Sequence, residues 1–124
     1  MKQNINEYLS LENTKYMNVM AVIDSTGIIN NDKPIKDFFE NVKKEYPSRI
    51  VLEKYTLEGE PTFKIIEYNG KQIKFIDDRS KTIDKYIKKF KGNKFIENIN
   101  DKYIRYDLFD NDKFITKIIS YRVE

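Results

Sequence analysis

The sequence predicts an α+β domain in which an antiparallel sheet of about five or six strands packs against one or two helices. Three observations carry the prediction. One segment repeats apolar residues at helical spacing, several later segments alternate apolar with polar residues, and turn chemistry separates those segments from one another. At 124 residues with 40% hydrophobic content, the chain is large enough for one core without disulfides or metals and too short for two. It is therefore read as a single domain over 1–124, with the polar residues 1–12 as a flexible arm. Eight Phe and nine Tyr set against 35% charged residues supply the apolar mass that disordered chains lack.

In chain order, the run MNVMAVID at 17–24 is apolar and of strand length, and Ser25-Thr26-Gly27 reads as the turn that ends it. The segment NDKPIKDFFENVKKEY predicts the clearest helix. Asn31 or Asp32 can cap its amides, Pro34 is tolerated in the first turn, Ile35, Phe38, Phe39, Val42 and Tyr46 share one face, and Pro47 stops it. The other face, with Lys36, Asp37, Glu40, Lys43 and Lys44, is a mixed-charge solvated surface. The period then changes, and 49–59, 61–69 and 71–79 predict an antiparallel meander rich in β-branched and aromatic residues. Asn69-Gly70 predicts a type I′ hairpin, because that turn needs positive φ at both central residues. At the other corner, Gly59 frees the backbone and Pro61 starts a strand where no N–H donation is needed.

Beyond the meander, Ile83, Tyr86, Ile87 and Phe90 fall at helical spacing between Ser80 as a cap and Gly92 as a stop. They predict a second, short amphipathic helix, with a strand as the alternative. Segments 94–99, 101–109 and 113–123 read as further strands, and Asp110-Asn111-Asp112 as the hairpin loop between the last two.

The chain has no His, no Cys and no Trp, which rules out Ser-His-Asp and Cys-His nucleophilic catalysis, imidazole acid–base work and Cys/His zinc sites within one chain. Carboxylate and Lys chemistry is the catalytic route left, and no established spacing supports it. The expectation is therefore no enzyme, no cofactor and no metal. Residues 107–112 offer hard oxygen ligands but lack the Gly and the distal bidentate Glu of an EF-hand loop, so a hairpin turn is preferred. No window approaches the roughly 18 apolar residues of a membrane span, and the N-terminal residues lack the apolar run of a signal peptide. As written, a soluble and cytoplasmic chain is expected.

From Val22 to Arg79 the chain carries a distinctive string, VIDSTGIINN, then FFENV, then RIVLEKYTLEGEPTFKIIEYNGKQIKFIDDR. Tyr55, Thr56, Glu58, Gly59, Glu60 and Pro61 make a tyrosine-threonine-x-glutamate-glycine-acidic-proline turn, and Tyr68, Asn69 and Gly70 a tyrosine-asparagine-glycine hairpin. Over 22–79 these residues resemble the bacterial family called domain of unknown function 4362. The resemblance implies a strand and a helix followed by the two turns. Many members resemble secreted lipoproteins, which implies a cell-surface origin if a leader precedes the chain. It implies no activity.

Two groups of residues are candidate sites. In a meander the third strand returns to the end that holds the first turn, which brings Asp77, Asp78 and Arg79 to the side of Glu58 and Glu60, with Tyr55 close by. Such a rim is a polar or cation-binding surface. The second group is basic. Residues 1–60 hold eight Lys/Arg against ten Asp/Glu, net −2, whereas 61–124 hold fifteen against ten, net +5. Lys81, Lys85, Lys88, Lys89, Lys91 and Lys94 are candidate anion-binding residues, followed by Lys102 and Arg105, with Tyr86, Phe90, Phe95 and Tyr103 interleaved. Cations beside aromatics can neutralise phosphates and stack bases. The functional expectation is a small non-catalytic binding or interaction domain, with a protein partner or a cell-envelope role. Nucleic-acid or anionic-surface binding through 81–105 is the alternative.

Overall fold

The computed structural model describes residues 18–123, so the arm expected over 1–12 lies outside the described residues. The chain forms β1 (Asn18–Ile23), β2 (Ile28–Ile29), α1 (Lys33–Lys43), β3 (Ser48–Tyr55), β4 (Pro61–Tyr68), β5 (Ile73–Asp78), β6 (Ile87–Gly92), β7 (Lys94–Asn100), β8 (Tyr103–Asp110) and β9 (Lys113–Val123). The architecture is broadly α+β, but the expected single antiparallel sheet is two mixed sheets. One has the order β1-β3-β4-β5-β6 and the other β2-β9-β8-β7. Two pairings are parallel: β1 lies beside β3, with Ile23 opposite Lys54, and the two-residue β2 lies beside the end of β9, with Ile28 opposite Arg122. Strand β2 has no counterpart in the sequence reading.

Helix α1 forms for the expected reasons and ends sooner than expected. The Asn31 side chain accepts the Lys33 N–H at 3.1 Å, Pro34 sits in the first turn, and Ile35, Phe38, Phe39 and Val42 are buried. Asp32 stands at the cap position but makes no side-chain capping bond, because its carboxylate accepts the Tyr121 hydroxyl at 2.9 Å. The C-terminus closes in a Schellman arrangement. Glu45 adopts φ 62°, its N–H donates to the Val42 carbonyl, and the Tyr46 N–H donates to the Asn41 carbonyl. Tyr46 is therefore turned off the apolar face on which the sequence placed it, and is 59% exposed.

The meander β3-β4-β5 is antiparallel as expected. Its second loop is not the two-residue type I′ turn. Tyr68 pairs with Ile73, which leaves four residues in the loop, and Gly70 alone among them has positive φ, at 100°. The Asn69 carboxamide takes both the Lys71 and the Gln72 N–H, at 2.9 and 2.8 Å, and so shapes the loop through its side chain.

Residues 80–92 do not form the second helix. Ile83 is 84% exposed and Ile87 51%, so the spacing that suggested an amphipathic face has nothing to pack against. A looped segment instead leads into β6, which pairs antiparallel with β5. Phe90 stands opposite Phe75, their ring centroids 5.6 Å apart. Gly92, expected as a helix stop, is a buried strand residue at the crossing from one sheet to the other. A Cβ there would lie 2.5 Å from the Phe109 carbonyl oxygen and 2.7 Å from a Leu108 methyl.

The main core fills the space between the sheets and α1. Phe39 stacks on Tyr106 at 3.8 Å and lies 4.7 Å from Phe95, joining the helix to β7 and β8. A β-bulge in the β8–β9 pair, after the Tyr106–Ile119 register, lets the consecutive residues Ile118 and Ile119 both be buried. Tyr121 ties the start of α1 to the second sheet through Asp32, and within that sheet Tyr106 donates to its cross-strand neighbour Glu97 at 2.6 Å. Burial first, and then these acceptors, push both phenols well above their ordinary range. A smaller apolar cluster, Val51, Phe63, Ile65 and Ile76, occupies the opposite face of the five-stranded sheet.

Candidate functional site

Side-chain alternation on β3, β4 and β5 sets the site. The residues facing the main core are Ile50 and Leu52 on β3, Ile66 and Tyr68 on β4, and Ile73 and Phe75 on β5. Two residues further along each strand, the same face carries Lys54, Lys64 and Asp77, because the side-chain period of a strand is two. The register sets Lys64 opposite Asp77 and, one pair further out, Lys54 opposite Thr62. Where the core face of the meander turns polar, a cavity of about 450 Å³ opens between the sheets. Arg79 follows β5 into it, the β3–β4 loop adds Thr56 and Leu57, and β9 supplies Lys117 and Ser120 from the second sheet.

The cavity is strongly cationic. Of the charged residues that line it, four are basic (Lys54, Lys64, Arg79, Lys117) and one, Asp77, is acidic. The Lys64 ammonium pairs with Asp77 at 3.3 Å and lies 5.5 Å from the centre of the Phe75 ring. Burial nonetheless pulls the Lys64 pKa down, against the pull of Asp77. The buried Arg79 Nε lies 3.4 Å from Asp84, close enough to pair but outside hydrogen-bond geometry, and the guanidinium sits 5.9 Å from the Tyr86 ring centre. Lys54 is half-buried and has no carboxylate partner among the described residues; burial, then Lys117, Lys64 and Arg79, hold its pKa below the usual lysine value. Lys117 is exposed and donates to the Ser120 hydroxyl at 3.4 Å; Asp107 stands opposite it on β8 but pairs with Arg105 at 2.8 Å.

The structure divides the six rim residues read from the sequence. Tyr55, Asp77 and Arg79 line the cavity. The Tyr55 hydroxyl donates to Glu53 at 2.9 Å, and that carboxylate raises the phenol pKa. Asp78 points to the other face, is 1% exposed and accepts the Ser80 hydroxyl and N–H, so it braces a turn. Glu58 is exposed at the tip of the β3–β4 loop, and Glu60 closes that loop through its backbone. Among the described residues no three acids gather as metal ligands.

The basic segment is dispersed as well. Lys81 and Lys85 lie in the loop before β6, while Lys88 falls on one face of β6 and Lys89 and Lys91 on the other. Lys88 sits 4.7 Å from the Tyr86 ring centre, and Lys94 pairs with Asp112 at 3.3 Å. Phe90 and Phe95 pack against the core, which removes them from base stacking. The loop 110–112 is a hairpin turn: Asn111 takes φ 55°, its side-chain oxygen accepts from the Asn93 carboxamide, and its backbone N–H donates to the Asn93 side-chain oxygen.

Lys54, Lys64 and Lys117 were absent from the sequence reading. A signal existed for the first two, which are lysines at inward-facing positions of otherwise apolar strands. None existed for Lys117, which arrives from the second sheet. A larger cleft of about 710 Å³, lined by Val42, Lys43, Tyr68, Phe95 and Glu97 among others, mixes signs and concentrates no charge.

No curated protein and no solved structure matches the chain. A family described as a domain of unknown function (DUF4362) matches residues 19–107, which extends the resemblance read from 22–79 through β6, β7 and most of β8. The chain therefore belongs to the DUF4362 family.

Proposed function

We propose that the chain is a non-catalytic binding domain that takes a small anionic ligand into the cavity between its sheets. The observation that carries this reading is Lys54, an ammonium held half-buried among three other cations with no acid beside it. Such an arrangement lowers stability, so folding alone gives it no purpose, whereas an incoming anion would neutralise it. The size supports a small molecule, since about 450 Å³ falls within the range of small-ligand pockets and cannot enclose a polymer or a folded partner. The lack of His and Cys supports binding without chemistry. Nucleic-acid binding is less well supported, because the lysines of β6 alternate between faces and two of the interleaved aromatics are packed away.

Calorimetric titration with sodium sulfate against a chloride background tests the proposal. The wild-type chain should bind sulfate at one site, and Lys54→Met should lose most of that affinity. Binding of a single-stranded oligonucleotide with equal strength by wild type and Lys54→Met, without sulfate binding, would overturn it.

A further inference from the structure

Resting on that reading, we infer that the ligand is a phosphate monoester, held as the dianion by Lys54 and Lys117 with the Thr56 and Ser120 hydroxyls beside them. The charge balance leads there. Lys64 is answered by Asp77 at 3.3 Å, and Arg79 by Asp84 at 3.4 Å. Among the described residues Lys54 and Lys117 form no ion pair, since Asp107, the acid opposite Lys117, is taken by Arg105 at 2.8 Å, so two positive charges at one cavity stand uncompensated. A monoanion would leave one of them unanswered, and a dianion balances both.

The donors suit a phosphate group. Each ammonium offers three N–H directions, and a hydroxyl can donate while it accepts. The Thr56 hydroxyl already accepts the Glu60 N–H at 3.1 Å, which leaves its own proton to donate. Ser120 is held beside the Lys117 ammonium at 3.4 Å. These groups come from β3, the β3–β4 loop and β9, so both sheets contribute donors to the one cavity. The cavity is also several times larger than one small anion, whose displaced water occupies about 30 Å³ per molecule. Leu57 and Ile119 give the remaining space an apolar side, where a compact organic group fits.

The test is a ¹H–¹⁵N NMR titration of the full chain with three probes, glycerol 3-phosphate, sulfate and acetate, at pH 5 and pH 7. A phosphate monoester gains its second charge near pH 6, so an eightfold to tenfold tightening from pH 5 to pH 7 is expected for glycerol 3-phosphate. Sulfate, a dianion throughout, should bind about equally at both values. Shifts should centre on Lys54, Thr56, Lys117 and Ser120, and Lys117→Gln, at an exposed position that does not threaten folding, should weaken glycerol 3-phosphate at least tenfold. If acetate binds as tightly as the other two probes, the dianion inference fails and anion binding stands. If sulfate binds at this site and glycerol 3-phosphate does not, the monoester is overturned alone. If no probe shifts these residues, both the inference and the proposed function fail.

Discussion

Replacing Lys54 by Met should stabilise the fold and abolish anion binding together. The methionine keeps a long apolar stem against the β3 surface and removes an ammonium that burial and three neighbouring cations disfavour. Exchange of a disfavoured buried charge for a hydrophobic residue gains roughly 1–4 kcal/mol. Because Lys54 is only half-buried, the lower part of that range applies, about 1–2 kcal/mol. For a chain of this length that corresponds to a rise in Tm of roughly 4–8 °C. Lys64→Met should have the opposite sign. It strands Asp77, whose side chain is 16% exposed, next to an apolar residue, and a loss of about 1–3 kcal/mol is expected. Chemical denaturation of the three proteins at low ionic strength measures both effects, and added salt should shrink the Lys54→Met gain by screening the repulsion. A Lys54→Met protein less stable than wild type would refute the argument, since it would mean that Lys54 has a favourable partner and the cavity is ordinary structure.

Three further outcomes are expected. Gly92→Ala should destabilise by about 3 kcal/mol, because the new methyl meets the Phe109 carbonyl oxygen, a backbone atom of the second sheet that cannot move aside; an unchanged denaturation midpoint would show that the sheets can part there. Tyr121→Phe should lose about 1–2 kcal/mol, since it removes the 2.9 Å bond that ties Asp32 at the start of α1 to β9, and amide exchange in the first turn of α1 should quicken. The pH dependence follows from Lys54 and Lys64, whose folded pKa values lie below the usual 10.5. Below their folded pKa values both states are protonated and the burial penalty is fully present; as pH rises through those values towards 10.5 the folded state sheds protons first, so stability rises, the gap between wild type and Lys54→Met narrows, and sulfate affinity falls.

Local features of the fold were legible in the sequence, and distant ones were not. Ile35, Phe38, Phe39 and Val42 announced α1, and Gly59 and Asn69-Gly70 marked both ends of β4, because periodicity and turn chemistry act within a few residues. The failure at 80–92 came from the same kind of evidence. Ile83, Tyr86, Ile87 and Phe90 fit a helix by spacing, but the edge of β5 lay open, and ladder pairing with Phe75 opposite Phe90 outweighed a face with no surface to cover. The parallel partners of β1 and β2 depend on contacts across the chain, which no local pattern encodes. The candidate site divides in the same way. Turn logic brought Tyr55, Asp77 and Arg79 to one end of the meander, yet it drew Glu58, Glu60 and Asp78 along with them and so suggested the opposite sign of charge.

The sign of the site follows from where the core stops. Along β3 the inward positions run Ile50, Leu52, Lys54; along β4, counted from the same end, Ile66 then Lys64; along β5, Phe75 then Asp77. On β4 and β5 the apolar face ends at one depth, Ile66 beside Phe75, so the register sets Lys64 opposite Asp77 just beyond it, whereas β3 still carries Leu52 at that level and reaches its first charge, Lys54, one pair further out. Loop acids such as Glu58 lie beyond that boundary in solvent, where an ion costs little and attracts little. Lysines tolerate the boundary because the long stem continues the apolar face while the ammonium reaches the opening. Lys54 is the informative member. Lys64 repeats the solution of an ordinary buried pair by standing opposite Asp77, whereas Lys54 stands opposite Thr62, whose hydroxyl donates to the Lys54 carbonyl oxygen rather than answering the charge. A glutamate in place of Thr62 would set a carboxylate across from Lys54 in the same register, at the cost of a larger side chain where Thr62 is buried and of the Thr62 bond to the Lys54 carbonyl oxygen. Thr62→Glu is therefore the substitution that should mimic the ligand: it should close the site to every anion, and calorimetric sulfate binding as strong as that of the wild type would refute the assignment of Lys54.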